Sequence, residues 1–433
     1  MKVKRYLRLS ELRLLVLFIL LSPLISLSQD LMAGVAKRKI TPEPLIAVSG
    51  GVGLPQAAKE KEDDLYVRAM VFAKGNIKTA IVSIDNLGWP AVWGDKTRAL
   101  VNRIAPENIL IGATHTHSAP DAYAFADESG NHAADIDYLN WCTVQMAEAI
   151  NEALDRLEPV HLKIAHEKVE GKIAYNYYAP QLYDPRCGVL QTIIASGKRK
   201  GTIQATLTNY AVHPEVIGNK RGILSPDLVG PLHERIEKET GGLSIFMNGA
   251  LGGMVTADNR LDNGKEANDW EECQRIGFLL ADEALRIIDK SAIQTNPNLR
   301  VASKKVTFPV ASVMMQHILK NSPLGMGSKD GTSISTTLNY IQLGTAQMIT
   351  IPGEALPNIG YYLKRKMPGE HPFLLGLTND AFGYILTKED FNSFDRYQYI
   401  SRTSLGEKTG EILVKEALYL INKNHQPKKQ QKQ

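Results

Sequence analysis

Apolar runs of strand length alternate with segments of helical spacing along most of the chain. Val67–Phe72 and Ala80–Ile84 flank a Lys-Gly-Asn turn at 74–76, a pattern that predicts a β-hairpin. Asn108–Ala113 and Thr202–Leu207 are further apolar runs that predict strands, the first of them buried. Polar residues with candidate chemistry follow several of these runs. The ends of the predicted strands are therefore the expected positions of the functional groups.

Other segments have the spacing of amphipathic helices, at 138–157, 270–288 and 411–421. Ser225 and Pro226 predict the start of another helix as N-cap and first-turn proline, and Gly241-Gly242 predicts its end. Strands mixed with helices in this way predict an α/β fold, with mixed sheets covered by helices and the active site at the carboxyl ends of strands. The pattern is weaker over 290–340, which is typical of a subdomain insertion.

The first 28 residues have the pattern of a secretory signal peptide. A basic start precedes the apolar run Leu14–Leu21, and Ser26 and Ser28 supply small residues before a cleavage site. The run is shorter than the about 20 residues of a spanning helix, although an uncleaved anchor remains an alternative. We expect export, periplasmic or secreted, with cleavage near Ser28. A catalytic domain over 29–422 and a basic disordered tail over 423–433 follow.

Composition and charge narrow the classes of function. The 433 residues are 44% hydrophobic and 22% charged, enough for a large core. The formal net charge is +4, but residues 1–28 alone carry +4 and four lysines after Ile421 carry another four, so the body sums to about −4. This excludes a bulk electrostatic footprint for nucleic acid. Three cysteines provide no zinc-finger-like pair, so a metal would need histidine and oxygen ligands.

The segment Thr114–Ser118 contains the most informative polar residues. His115 and His117 follow the strand that ends at Ala113. In an extended backbone, residues i and i+2 point to the same face, so both imidazoles would project together. Imidazole is the commonest zinc ligand. Two polar residues at a strand end are the alternative interpretation.

Three further polar groups follow strand-like runs. His213 precedes a proline, Glu354 follows a Pro-Gly turn, and Tyr384 lies in a short apolar run. A capping or core histidine and a glutamate at a helix start are the alternatives. Two imidazoles, a carboxylate and a phenol could together form an open zinc shell. The segments are far apart in the sequence, and their spacing alone does not bring them together.

Taken in order, these segments resemble the neutral, non-lysosomal ceramidases, in particular their catalytic domain. The matching stretches are THTHSAPDA at 114–122, NYAVHPEVIGNKRGILSPDLVG at 209–230, SIFMNGALGG at 244–253, IPGEAL at 351–356 and GLTNDAFGYILTKEDF at 376–391. The resemblance covers most of residues 33–405. It implies a zinc amidase in which His115, His213, Glu354 and Tyr384 bind the metal. It also implies that His117 lies beside the metal as an acid/base or hydrogen-bonding group, and that Tyr397 is the active-site tyrosine. Tyr399 is the alternative, because the spacing from Tyr384 to Tyr397 is one residue longer than the pattern expected of the family.

The chain departs from this family at three places. Tyr177 stands where the family has an arginine near its substrate, and a phenol does not replace a guanidinium. Gly252-Gly253-Met254 replaces a Gly-Asp before a hydrophobic residue. We also expect no C-terminal immunoglobulin-like domain. These departures argue against ceramide as the substrate but leave the metal site unchanged.

The sequence therefore predicts an exported zinc-dependent amidohydrolase that cleaves the amide of an N-acyl lipid such as ceramide by attack of zinc-bound water. One alternative is a zinc hydrolase of another amide or ester. Another is a non-catalytic binding protein that retains the fold. The expected partners are a small amide substrate and, where the substrate is a lipid, a membrane surface. No nucleic acid is expected, and the oligomeric state is left open.

Overall fold

The structure, a computed structural model, describes residues 30–51, 55–127 and 129–425. The predicted signal peptide and the tail from 426 onward lie outside these residues. The described residues from Leu31 onward group into one unit. No helix within the described ranges has both the length and the apolar character needed to cross a membrane.

The elements are numbered in chain order. The strands are β1 Met32–Lys39, β2 Val48–Ser49, β3 Glu60–Lys61, β4 Tyr66–Lys74, β5 Ile77–Ile84, β6 Ile109–Ala113, β7 Ala119–Pro120, β8 Glu158–Lys168, β9 Ala174–Asn176, β10 Arg186–Ile194, β11 Ile203–Tyr210, β12 Ile223–Leu224, β13 Leu243–Asn248, β14 Val255–Ala257, β15 Leu299–Pro309, β16 Ser333–Leu343, β17 Ala346–Thr350, β18 Glu354–Ala355, β19 His371–Leu375 and β20 Tyr384–Ile385. The α-helices are α1 Ala91–Ala99, α2 Ile136–Asp155, α3 Val229–Thr240, α4 Trp270–Asp289, α5 Val313–Asn321, α6 Pro357–Lys366, α7 Gln398–Arg402 and α8 Thr409–Asn424. Short 3₁₀ turns lie at Pro106–Asn108 and Asp395–Tyr397.

An eight-stranded mixed sheet with the order β13-β11-β10-β8-β1-β4-β5-β6 forms the largest layer. The hairpin predicted around residues 74–76 is present, with β4 antiparallel to β5. The sheet curves so that β13, at one edge, approaches β4 and β5 near the other edge. Arg68 of β4 donates a hydrogen bond to the carbonyl of Ser244 in β13 (3.1 Å), and Ser83 of β5 donates to the carbonyl of Phe246 (2.6 Å). This curvature brings the carboxyl ends of β6, β11 and β13 to one place.

A second, four-stranded sheet with the order β15-β16-β17-β19 covers one face of the first. Alternate residues of β4 show the layering, because Val67, Ala69 and Val71 pack toward α1 and α2 while Met70 and Phe72 pack toward the second sheet. Helices α3 and α4 cover the remaining part of the large sheet, and α6 and α8 cover the outside of the small one. Strands buried on both faces explain the unbroken apolar runs of the sequence. The predicted α/β class, with sheets covered by helices, is confirmed.

Two predictions made from the sequence pattern are wrong. Helix α3 begins at Val229 and not at Ser225-Pro226, because Asp227 has a left-handed backbone (φ +54°) that interrupts the helix. Its end is as predicted, with Gly241 at φ +70°. The region 290–340 is not an insertion, since it supplies β15 and β16 of the second sheet. Its pattern is weak because many β15 residues are only partly buried.

The last helix also differs slightly from expectation. Helix α8 continues to Asn424, so the segment expected to be a tail from 423 begins inside a helix. Its apolar residues Leu413, Ala417 and Leu420 pack in the core outside the second sheet. The helical spacing predicted for 411–421 is therefore confirmed.

A buried ion cluster fastens α6 to the amino end of β10. The Lys364 ammonium lies 2.8 Å from Asp184 Oδ2, and Arg186 donates Nε and Nη2 to the two oxygens of the same carboxylate (2.7 and 3.0 Å). Although burial raises the pKa of Asp184, the two cations outweigh it and lower the pKa to about 2. The carboxylate is thus ionised at neutral pH.

We predict that Asp184→Ala lowers the free energy of unfolding by about 3–5 kcal/mol, because the buried Lys364 ammonium loses its counter-ion. The measurement is urea denaturation at pH 7. Asp282→Ala, which breaks the exposed pair with Arg235, is the matched control and is expected to cost at most about 1 kcal/mol. Equal losses in the two variants would contradict the prediction.

Candidate metal centre

The backbone after β6 sets the positions of His115 and His117. The sequence predicted an extended backbone here. The structure differs, because His115 adopts a left-handed conformation (φ +72°). The two rings meet nonetheless, with centroids 4.8 Å apart and planes at 88°. The amide of His115 donates to the carbonyl of Asn86 (2.9 Å) and that of His117 to the carbonyl of Pro214 (3.0 Å). Left-handed conformations of non-glycine residues are costly and cluster at functional sites.

Asn248, at the end of β13, joins the two histidine segments. Its side-chain Nδ2 donates to the carbonyl of Thr114 (3.1 Å) and to that of Val212 (2.8 Å), and its Oδ1 accepts from the amide of Val212 (3.2 Å). Thr114 precedes His115 and Val212 precedes His213, so these hydrogen bonds fix the positions of the two histidines relative to each other. Asn248 was not singled out from the sequence, since an asparagine at a strand end has no distinctive pattern.

Glu354 and Tyr384 reach the site through a short parallel pair. Strand β18 pairs with β20 so that Glu354 lies opposite Tyr384. Glu354 Oε2 lies 3.1 Å from His213 Nε2 and 3.7 Å from His115 Nε2. The carboxylate therefore faces the imidazoles and does not complement a helix start. Gly252 permits this approach, because a Cβ there would lie 2.1 Å from the carbonyl oxygen of Glu354.

The donor set fits a metal ion. One ligand nitrogen from each of His115, His117 and His213 lies within 4.8 Å of the others. The Nδ1 atoms of His115 and His213 face the carbonyls of Leu87 (2.5 Å) and Val255 (2.8 Å), which favours the proton on Nδ1 and leaves Nε2 as the ligand atom. The Nε2 atoms of His115 and His117 are buried with no hydrogen-bond partner among the described residues. Buried imidazole lone pairs that converge in this way are typical of a metal site.

The pKa values of His115, His117 and Glu354 favour the form that can bind a metal, whereas the pKa of His213 depends on Glu354. Burial, with smaller effects from neighbouring histidines, lowers the pKa of His115 and of His117 to about 3, so both are neutral at pH 7. Burial opposes protonation of His213, but the hydrogen bond to Glu354 together with the charges of Glu215 and Glu354 outweighs it and raises the pKa of His213. Burial likewise disfavours the charged form of Glu354, yet the two histidines and a hydrogen bond from Tyr384 outweigh it and lower its pKa. His213 and Glu354 therefore each favour the charged form of the other.

An apolar cavity opens beside the cluster, and it distinguishes the two candidate tyrosines. Tyr399 lines this cavity together with His115, His117, Glu354 and Tyr384. Its ring lies 5.9 Å from that of Tyr384, and burial followed by the charge of Glu354 raises its pKa to about 12. Its hydroxyl is therefore protonated at neutral pH and can donate a hydrogen bond.

Tyr397 occupies a different environment. Its ring packs between those of Tyr178 (5.3 Å) and Phe394 (5.2 Å), and its side chain is 8% exposed. It is not among the residues that line the cavity. Of the two tyrosines, Tyr399 therefore lies at the cavity, and Tyr397, the residue expected from the sequence, packs beside it among aromatic rings.

Tyr123 is a cavity residue that the sequence analysis missed. It lines the same cavity, and burial raises its pKa well above the usual value for a tyrosine. Its hydroxyl lies against Gly88, where a Cβ would come within 2.0 Å of it. Tyr123 directly follows the matching stretch at 114–122, and a single tyrosine in a loop gave no signal.

Comparison with known proteins bears on the fold alone. No protein-family model matches the sequence, and no curated protein does. Among solved structures, the chain is similar to a neutral ceramidase from Pseudomonas aeruginosa, with a TM-score of 0.74 and 16% identity over 91% of this chain and 75% of that one. It is equally similar to a ceramidase complexed with C2, with a TM-score of 0.73 and 16% identity over 91% and 76% of the two chains.

The chain therefore has the neutral ceramidase fold, and the resemblance stated from the sequence is confirmed at that level. Its described residues include no immunoglobulin-like domain, as the sequence analysis expected.

We predict that the metal-free protein loses stability as the pH falls below about 6.5. The folded state keeps His117 neutral down to a pKa of about 3, while the unfolded chain takes up this proton near pH 6.5, so acid favours unfolding by about 1.4 kcal/mol per pH unit for each such imidazole. His117→Gln should reduce the slope of unfolding free energy between pH 6 and 5 by that amount. Urea denaturation after chelation is the measurement. His317→Gln, at an exposed position, is the control, and an unchanged slope in His117→Gln would refute the prediction.

Proposed function

We propose that this protein is an exported zinc-dependent amidohydrolase that cleaves the amide bond of an N-acyl lipid. The convergence of His115, His213, Glu354 and Tyr384 beside an apolar cavity is the observation that carries the proposal. The neutral ceramidase fold supports it, because one solved neighbour of that fold is a ceramidase complexed with C2. Export is proposed from the signal-like pattern of residues 1–28.

Zinc is proposed as the metal because the donors are imidazoles, a carboxylate and a phenol. His115, His213, Glu354 and Tyr384 would hold it, and His117 would lie beside it. The alternative is a shell of three imidazoles, since His117 is near enough to contribute its own nitrogen. When bound, zinc supplies Lewis-acid chemistry that activates water and polarises a carbonyl oxygen.

The residues around the cluster supply the remaining chemistry. Tyr399, protonated at neutral pH, would donate a hydrogen bond to the oxygen that becomes negative as the amide carbonyl is attacked. His117, neutral at pH 7 with its Nε2 buried and without a partner among the described residues, would accept a proton from the attacking water and pass it to the departing amine.

The cavity supports a substrate with an apolar acyl chain. Met314, Met315 and Ile318 of α5, with Phe125 and Leu87, form its apolar wall. An acyl chain could pack against these side chains, and the flexible methionines tolerate different chain lengths. Tyr177 lies outside this cavity and is 60% exposed, so the place of the expected arginine is taken by a surface phenol.

Metal content and hydrolysis of the purified chain, measured together, test the proposal. We expect about one zinc per chain and amidase activity that a chelator removes and zinc restores. His213→Ala should lose both the metal and the activity, whereas His161→Ala, on β8 outside the cluster, should keep both. His117→Ala should keep the metal and lose activity, and loss of the metal there would favour the shell of three imidazoles. Zinc binding without hydrolysis of any amide would favour a non-catalytic binding protein.

We further predict that Tyr399→Phe lowers kcat by about 10²–10³-fold with little change in zinc content, because one donor to the developing oxyanion is removed. Tyr397→Phe is the matched control, since this ring packs outside the cavity, and it should keep kcat within about twofold. Steady-state kinetics on a soluble N-acyl substrate is the measurement. The opposite order of effects would return the role to Tyr397.

A further inference from the structure

A second opening adjoins the histidine cluster from the other side of His117. The apolar cavity and a separate polar groove share His117 and Gly50 in their linings. The cavity wall is built from methionine, isoleucine and aromatic side chains. The groove also contains tyrosine and apolar side chains, but it differs from the cavity in its charged residues, the carboxylates Glu215 and Glu266 and the cations Lys220 and Arg221. His117 therefore lies at the boundary between an apolar and a polar space.

Charges of both signs line the groove. The carboxylate of Glu215 lies 3.6 Å from His117 Nδ1 and is partly exposed. Lys220 and Arg221 are exposed on the loop that follows, and Arg221 donates one hydrogen bond to the carbonyl of Asn268 (2.7 Å). Lys220 has no ion pair or hydrogen bond within the described part of the chain. The groove thus offers an anion next to the cluster and an unneutralised cation farther along.

The geometry of an amide relates the two openings. A trans amide is planar, so the acyl chain and the substituent on nitrogen leave the carbonyl group in opposite directions. With the acyl chain in the apolar cavity, the nitrogen substituent lies on the His117 side, in the groove. A second long hydrocarbon chain placed there would cover charged side chains and remove them from water at a cost.

We propose that the groove binds the amine part of the substrate and that this part carries a carboxylate, as in an N-acyl amino acid. The inference rests on the proposed function and specifies its substrate class. Hydrolysis adds water across the C–N bond, which yields a fatty carboxylate and an amine that takes up one proton. Glu215 lies where this ammonium forms, and Lys220 and Arg221 attract the carboxylate of the amino acid.

The kinetic test compares three substrates with one acyl chain, using the zinc-loaded full chain. These are N-dodecanoylglycine, the neutral N-dodecanoylethanolamine and N-dodecanoylsphingosine. We expect the highest kcat/KM for the glycine compound. Lys220→Met should reduce the ratio of its kcat/KM to that of the ethanolamine compound about tenfold, through KM, which is the effect of one hydrogen bond between charged groups. Lys200→Met, in the exposed turn between β10 and β11, is the matched control and should keep the ratio.

A binding measurement on the metal-free protein separates recognition from catalysis. N-dodecylglycine, which carries an ammonium and a carboxylate and has no amide to cleave, should bind by calorimetry. Lys220→Met and Glu215→Gln should each weaken its Kd about tenfold, and Lys200→Met should not.

Three results overturn the inference while leaving the amidase intact: a kcat/KM that is highest for the sphingosine compound, an unchanged ratio in Lys220→Met, or equal Kd values in all variants. If no amide is hydrolysed, the proposed function fails. Calorimetry then decides by itself whether the groove recognises the zwitterion.

Discussion

The burial of two unpartnered imidazole nitrogens is the constraint on which the site depends. His115 and His117 each place Nε2 in the protein interior with no hydrogen-bond partner among the described residues, and an unsatisfied buried polar group costs about 1–3 kcal/mol. The left-handed backbone of His115 is a further energetic cost of the folded state. It directs the lone pair on Nε2 of His115 toward His213 and Glu354. A metal ion bound to His115 Nε2 would offset the cost at that residue, while Nε2 of His117 would stay beside the ion for proton transfer. The cluster could thus hold a metal ion at little further cost.

Long-range curvature, and not local structure, brings the ligands together. The large sheet bends until β13 approaches the strands near its other edge, so that the carboxyl ends of β6 and β11 face each other. Asn248 hydrogen-bonds to both histidine segments. The pairing of β18 with β20 places the carboxylate residue Glu354 opposite the phenol residue Tyr384. His115 and His213 follow the ends of β6 and β11, and hydrogen bonds of their amide and Nδ1 groups hold both imidazoles in place.

The sequence predicted those features that depend on local patterns. Periodicity identified the hairpin of β4 and β5 and most of the long helices, and residue chemistry with the ceramidase resemblance identified the residues that converge. Features set by distant contacts were missed. The half-buried strand β15 has no clean alternation, the φ of +72° at His115 has no residue signature, and Asn248 acts only because three strand ends meet around it. The choice between Tyr397 and Tyr399 depends on which ring the turn at 395–397 directs into the cavity.

The placement of His117 links the proposed chemistry to substrate choice. A proton donor to the departing amine must lie on the nitrogen side of the amide, and this histidine separates the apolar cavity from the charged groove. The side of the site that receives the amine is therefore also the side with Glu215, Lys220 and Arg221. A substrate with two hydrocarbon chains would gain burial on one side and lose hydration of charges on the other. In the proposed amidase, the charged groove could thus select the group on the amide nitrogen by electrostatics, without any change at the residues proposed to bind the metal.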